Sequence, residues 1–113
     1  QSRSSYSPLL WRNKMETKTY EHLIQDFLEK NTTQETLFTG LASEFGEVMS
    51  ERVKETRNQM EKSKEILDEL SDVLWYVTSI ANSRGYTLGQ LMIDNYLKLE
   101  KRNTEGKEKK KDE

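Results

Sequence analysis

The chain has 113 residues and a mass of 13.3 kDa, with 34% charged residues, 33% hydrophobic residues and a formal net charge of −2. That length bounds it to one small domain, and the absence of Cys excludes disulfides, thiolate zinc sites and cysteine nucleophiles. One His (His22) excludes a site built from several imidazoles, so any bound metal must be held by oxygen.

Residues 1–14 read as a Ser-rich arm, with Met15 a candidate native start and the stretch before it a candidate expression remnant. Residues 15–103 read as the domain. They hold 11 Lys/Arg and 16 Asp/Glu, a net charge of −5. An acidic body argues against a nucleic-acid polymer as partner, because that role needs a basic face. No apolar run is long enough for a membrane span. One Pro and five Gly are too few for a turn-rich all-β chain. The predicted fold is an all-α four-helix bundle. So few apolar residues in so small a chain suggest a core completed by a second copy.

The first predicted helix runs from about Tyr20 to Lys30, with Leu23, Ile24, Phe27 and Leu28 at helical spacing. Thr32 and Glu35 fit a capping box for a second helix ending near Arg57. Asn58 to Ser63 is polar and reads as a turn or a continuation. The third helix is expected from about Lys64 to Arg84, with Gly85 as a left-handed stop. Thr87 and Gln90 form another capping box, opening a fourth helix that runs to about Arg102. Residues 104–113 contain no hydrophobic side chain and read as a disordered, charged tail.

Two acidic pairs carry the chemistry. Glu44 and Glu47 lie three apart on the second helix, and Glu69 and Asp72 lie three apart on the third. That spacing puts each pair on one helix face. On the second helix Glu44 and Glu47 flank an apolar arc of Leu37, Leu41, Phe45 and Val48. Glu69 and Asp72 flank the arc of Ile66, Leu70, Val73, Val77 and Ile80 in the same rotational sense. Antiparallel packing of the two arcs would bring four carboxylates together at the edge of a core. Four anions that close raise one another's pKa values, and a divalent cation resolves the conflict. Mg²⁺ suits a carboxylate and water ligand set, with Mn²⁺ as a substitute. The opposing reading is a solvated acidic face, since acidic residues three apart are common on helices.

The strings GLASEFGEV (40–48) and DELSDVLWYV (68–77) closely resemble the two motif helices of the MazG-like all-α nucleotide pyrophosphohydrolases. Here 21 residues separate Glu47 from Glu69, within that family's E-x-x-E, spacer, E-x-x-D pattern. The run NYLKLEKR (95–102) resembles its closing helix, and the likeness covers roughly residues 36–102. The resemblance implies Mg²⁺-dependent conversion of nucleoside or deoxynucleoside triphosphates to monophosphate and pyrophosphate. It implies Glu44, Glu47, Glu69 and Asp72 as metal ligands and catalytic residues. Lys54 would lie near the phosphates, Asn95 and Lys98 would touch phosphate or nucleotide, and Tyr76 would stack on the base. A dimer or tetramer, cytoplasmic placement and a nucleotide-pool or house-cleaning role are also implied. Phe45 and Ser43 depart from the small or acidic residues frequent at their positions.

Several of these residues carry a plainer alternative. Asn95 shares a wheel face with Leu88, Leu91, Met92 and Leu99 and reads equally as a core Asn. Tyr76 can simply pack, and Lys54 and Lys98 can be exposed helix charges. Trp75 lies off the apolar arc and suggests an oligomer contact. The competing function is a non-catalytic helical oligomer that binds nucleotide or a protein partner through its acidic edge.

Overall fold

The computed structural model describes residues 15–28 and 30–112, with side chains described up to residue 106. Residues 1–14, read above as an arm, lie outside the described residues. Four α-helices follow in order: α1 Thr17–Ile24, α2 Gln34–Asn58, α3 Ser63–Ser83 and α4 Leu88–Asp112. A 3₁₀ turn over Gln25–Phe27 extends α1. No strand occurs among the described residues, and none of their helices is long and apolar enough to cross a membrane.

Local chemistry sets the helix ends. The cap of α2 falls on Thr33, one residue after the expected Thr32. Thr33 has the extended backbone an N-cap needs (φ −97°, ψ 164°), and its Oγ1 accepts from the Thr36 N–H at 3.1 Å. The Thr87–Gln90 box forms reciprocally: the Gln90 N–H donates to Thr87 Oγ1 at 3.0 Å, and the Thr87 N–H donates to Gln90 Oε1 at 2.8 Å. Gly85 stops α3 with φ 77°, a conformation that favours glycine. Helix α1 starts three residues earlier than expected. Helix α4 continues beyond Arg102 through the stretch read as a tail, where no Pro interrupts it and Lys101 reaches Glu105 at 4.0 Å.

The α2–α3 hairpin is the centre of the chain, and its register is set at three levels. Gln34 Nε2 donates to Ser83 Oγ at 2.8 Å near the open end. Further in, Gly40 lies against Tyr76 so closely that a Cβ on Gly40 would clash with the hydroxyl end of the tyrosine ring. At the closed end Glu55 ties the turn. Its Oε2 accepts from the Lys62 N–H at 2.9 Å, and its Oε1 pairs with Arg52 at 2.6 Å. These bonds, the Lys62 N–H first, hold the Glu55 carboxyl below its ordinary pKa. The polar stretch after Asn58 is therefore a turn, entered through Gln59 in a left-handed conformation (φ 50°).

Helix α1 is fastened by Glu21. Its Oε2 accepts from Asn82 Nδ2 at 2.7 Å and from the Leu88 N–H at 2.9 Å. One carboxylate thus joins the end of α3 to the positive N-terminus of α4. The buried apolar side chains among the described residues are Ile24, Leu37, Ala81 and Leu88. Thr78 and Ser79 are buried beside them, and Thr78 Oγ1 donates to the Leu74 carbonyl at 2.7 Å. Phe45 and Leu70, expected in the packed arcs, remain 60% and 44% exposed. The radius of gyration is 18.4 Å, against roughly 13 Å for a compact chain of this length.

Gly40→Ala tests the hairpin contact. A methyl group in a helix gains about 0.5–1 kcal/mol over Gly, but overpacking against Tyr76 costs about 1–3 kcal/mol. The expected result is a lower denaturation midpoint for Gly40→Ala. Gly46→Ala, where nothing lies within 4 Å of the added Cβ, should be neutral or stabilising. Urea unfolding followed by circular dichroism reads both.

Candidate functional site

The hairpin register decides where the carboxylates go. In the antiparallel pairing that sets Gln34 opposite Ser83 and Gly40 opposite Tyr76, each step toward the turn along α2 matches a step back along α3. Glu44 and Glu47 therefore face Asp72 and Glu69 across the seam. One carboxylate oxygen from each of Glu44, Glu69 and Asp72 lies within 4.8 Å of the others. Glu44 and Glu69 are half-buried and Asp72 is exposed. Glu47 is exposed and outside this trio, but its charge reaches Glu69.

The electrostatics follow from the crowding. The Glu69 carboxyl is pushed up from 4.5 to about 7. The largest cause is a hydrogen bond shared with Glu44. Desolvation follows, then the charges of Glu44, Glu47 and Asp72. A proton shared between two carboxylates is how such a pair relieves repulsion when no cation is present. The donor set is all oxygen, converges from two helices and carries surplus negative charge. Those are the features a hard divalent cation needs.

The other sequence-derived candidates are placed less uniformly. Tyr76 is half-buried, with its ring against Gly40 and edge-on to Trp75 at 4.9 Å. Trp75 is likewise half-buried. Lys54 is exposed, and its Nζ pairs with Glu51 at 3.1 Å. Asn95 and Lys98 lie on an exposed stretch of α4, so Asn95 is not a core residue of the single chain. Neither makes a hydrogen bond or ion pair among the described residues.

The sequence reading missed Tyr20. This α1 side chain is half-buried beside α3. Burial pushes its pKa up, a hydrogen bond with Thr78 lowers it, and the charge of Asp72 adds a smaller upward push. Its phenol therefore lies close to one wall of the acidic group. No local spacing could have found it, because the contact joins helices more than 50 residues apart.

A pH dependence follows for the metal-free protein. The folded state holds the Glu69 proton more tightly than the unfolded chain, so this group's contribution to stability is fully present below pH 4.5. It is lost as pH rises toward about 7. In chelator, thermal midpoints should fall across that window, and Glu44→Gln should flatten the fall by removing the largest cause of the shift.

A family model, the MazG nucleotide pyrophosphohydrolase domain, matches residues 32–106. No curated protein and no solved structure matches the chain significantly. The matched span takes in both acidic helices, the turn between them and the described side chains of α4. With the four-helix architecture and the acidic pairs set across one seam, the chain belongs to the MazG nucleotide pyrophosphohydrolase domain family.

Proposed function

We propose that the protein is a Mg²⁺-dependent nucleoside triphosphate pyrophosphohydrolase, which converts a ribo- or deoxyribonucleoside triphosphate to the monophosphate and pyrophosphate. The observation that carries this reading is the convergence of the Glu44, Glu69 and Asp72 carboxylates within 4.8 Å in a chain of this family. Glu44, Glu47, Glu69 and Asp72 would hold the metal, with Mn²⁺ able to replace Mg²⁺. Bound there, the metal supplies the positive charge that offsets a triphosphate and makes a water acidic enough to react near neutral pH.

The chain's residues do the positioning. One of the seam glutamates would take a proton from the attacking water. That water attacks the α-phosphorus in line, the bond from the α-phosphorus to its bridging oxygen breaks, and pyrophosphate departs. No covalent enzyme intermediate is needed, so catalysis rests on orientation and charge stabilisation. Lys54, two turns from Glu47 on α2, would balance phosphate charge. Tyr76 offers an aromatic ring one turn beyond Asp72 for the base. Asn95 and Lys98, unpaired among the described residues, would take phosphate or nucleotide.

Exposed apolar stripes support a homo-oligomer. Phe45, Met49 and Val53 on α2, and Leu67, Leu70 and Leu74 on α3, are each 42–64% exposed. Patches of this extent mark interfaces more often than free surface. Light scattering should therefore return a dimer or tetramer mass.

The decisive assay incubates the protein with a panel of nucleoside and deoxynucleoside triphosphates and Mg²⁺, following monophosphate and pyrophosphate release. Glu69→Gln removes a metal charge at nearly constant volume. It should lower turnover by on the order of a hundredfold or more, as loss of several kcal/mol of metal-linked stabilisation implies, while leaving the helical spectrum intact. Full Mg²⁺-dependent activity in Glu69→Gln would refute the assignment.

A further inference from the structure

We propose that Lys62, held in place by Glu51, binds the departing pyrophosphate end of the substrate. This rests on the reading above, in which the carboxylate seam is the reaction centre.

The argument starts from an unusual burial. Glu51 lies one turn beyond Glu47 and two turns beyond Glu44 on the same face of α2, roughly 6 Å along the axis from Glu47. Its side chain is only 13% exposed. Its Oε2 has almost no solvent contact and no hydrogen-bond partner among the described residues. A buried carboxylate oxygen in that condition is destabilising unless a charge compensates it. The compensation comes from two lysines. Lys54 Nζ lies 3.1 Å from Oε1, and Lys62 Nζ lies 3.8 Å from Oε2.

Lys62 is itself the N-cap residue of α3, and on that side its Nζ is 3.4 Å from Glu65 Oε2, three residues on. Glu65 is one turn before Glu69. The Lys62 ammonium thus straddles the hairpin seam one layer nearer the turn than the acidic group, bracketed by one carboxylate from each helix. It is 22% exposed, so its position is constrained but solvent can reach it.

The two bracketing acids differ. Glu65 is 46% exposed and can be displaced by an incoming anion. Glu51 is only 13% exposed and is also paired with Lys54, so it is the less displaceable of the two. An arriving phosphate would therefore exchange with Glu65 while Glu51 keeps the ammonium on the seam. With the α-phosphorus at the carboxylates, the outer phosphates extending toward the turn would meet this positive charge. The seam then has a direction: phosphate tail toward the α2–α3 turn, and base toward Gly40 and Tyr76. In this arrangement Lys62 touches substrate, and Glu51 is a positioning residue acting through it.

The test measures binding of inorganic pyrophosphate in the presence of Mg²⁺ by calorimetry, alongside inhibition by the nucleoside monophosphate product. Lys62→Gln should weaken pyrophosphate binding about tenfold, the value of one charge-assisted hydrogen bond, and leave monophosphate inhibition unchanged. Lys62→Arg, which keeps the charge, should retain most of the affinity. Glu51→Gln should weaken pyrophosphate binding in the same direction and likewise leave monophosphate inhibition unchanged. The proposal is overturned if Lys62→Gln binds pyrophosphate as the unaltered protein does, or if both products weaken together. An unaltered protein inert on every triphosphate would instead overturn the parent reading, and this one with it.

Discussion

The structure turns on repulsion between carboxylates that the fold pushes together. Two helices each present an acidic pair to one seam, and the antiparallel register sets the pairs opposite each other. Among the described residues, none of Glu44, Glu69 and Asp72 is ion-paired to a Lys or Arg. Without a cation, the crowding raises the pKa of the Glu69 carboxyl, hydrogen-bonded to Glu44, to about 7. A helix hairpin optimised for stability alone would separate these groups or pair them with cations, as it does at Glu55 and Arg52 near the turn. Retaining them unpaired is what a site for a hard divalent cation requires.

Everything that fixes the register therefore serves the site. The absence of a side chain at Gly40 lets Tyr76 approach α2, Gln34 clips the open end, and Glu55 closes the turn. Because side chains on a helix face repeat every three or four residues, a slip of one residue between α2 and α3 would rotate Glu44 away from Asp72. Glu21 performs the corresponding task for α1 and α4, joining three helices through one carboxylate.

The acidic seam also explains why the hairpin does not bury more. Charged side chains occupy one edge of the α2–α3 interface, leaving the remaining apolar positions to spread across two stripes that the single chain does not cover. Phe45 and Leu70 belong to those stripes. The buried residues of α3 are small ones, Thr78, Ser79 and Ala81.

Much of this was legible in the residues themselves. The four-helix order, the Gly85 stop, the Thr87–Gln90 box and the two acidic pairs all depend on backbone geometry acting over three or four positions. So does the family resemblance, which rests on two short strings and their separation. The cap at Thr33 in place of Thr32 shows the limit of that local reading, because either hydroxyl satisfies the spacing rule approximately and backbone conformation chooses. Tertiary structure alone decided that Glu44 meets Glu69 and Asp72, that Tyr20 reaches α3, that Glu21 caps α4, and that Lys62 meets Glu51. These contacts join different helices or span the turn between them. Periodicity places a side chain on a face of its own helix, but only the packing of one helix on another determines what that face meets.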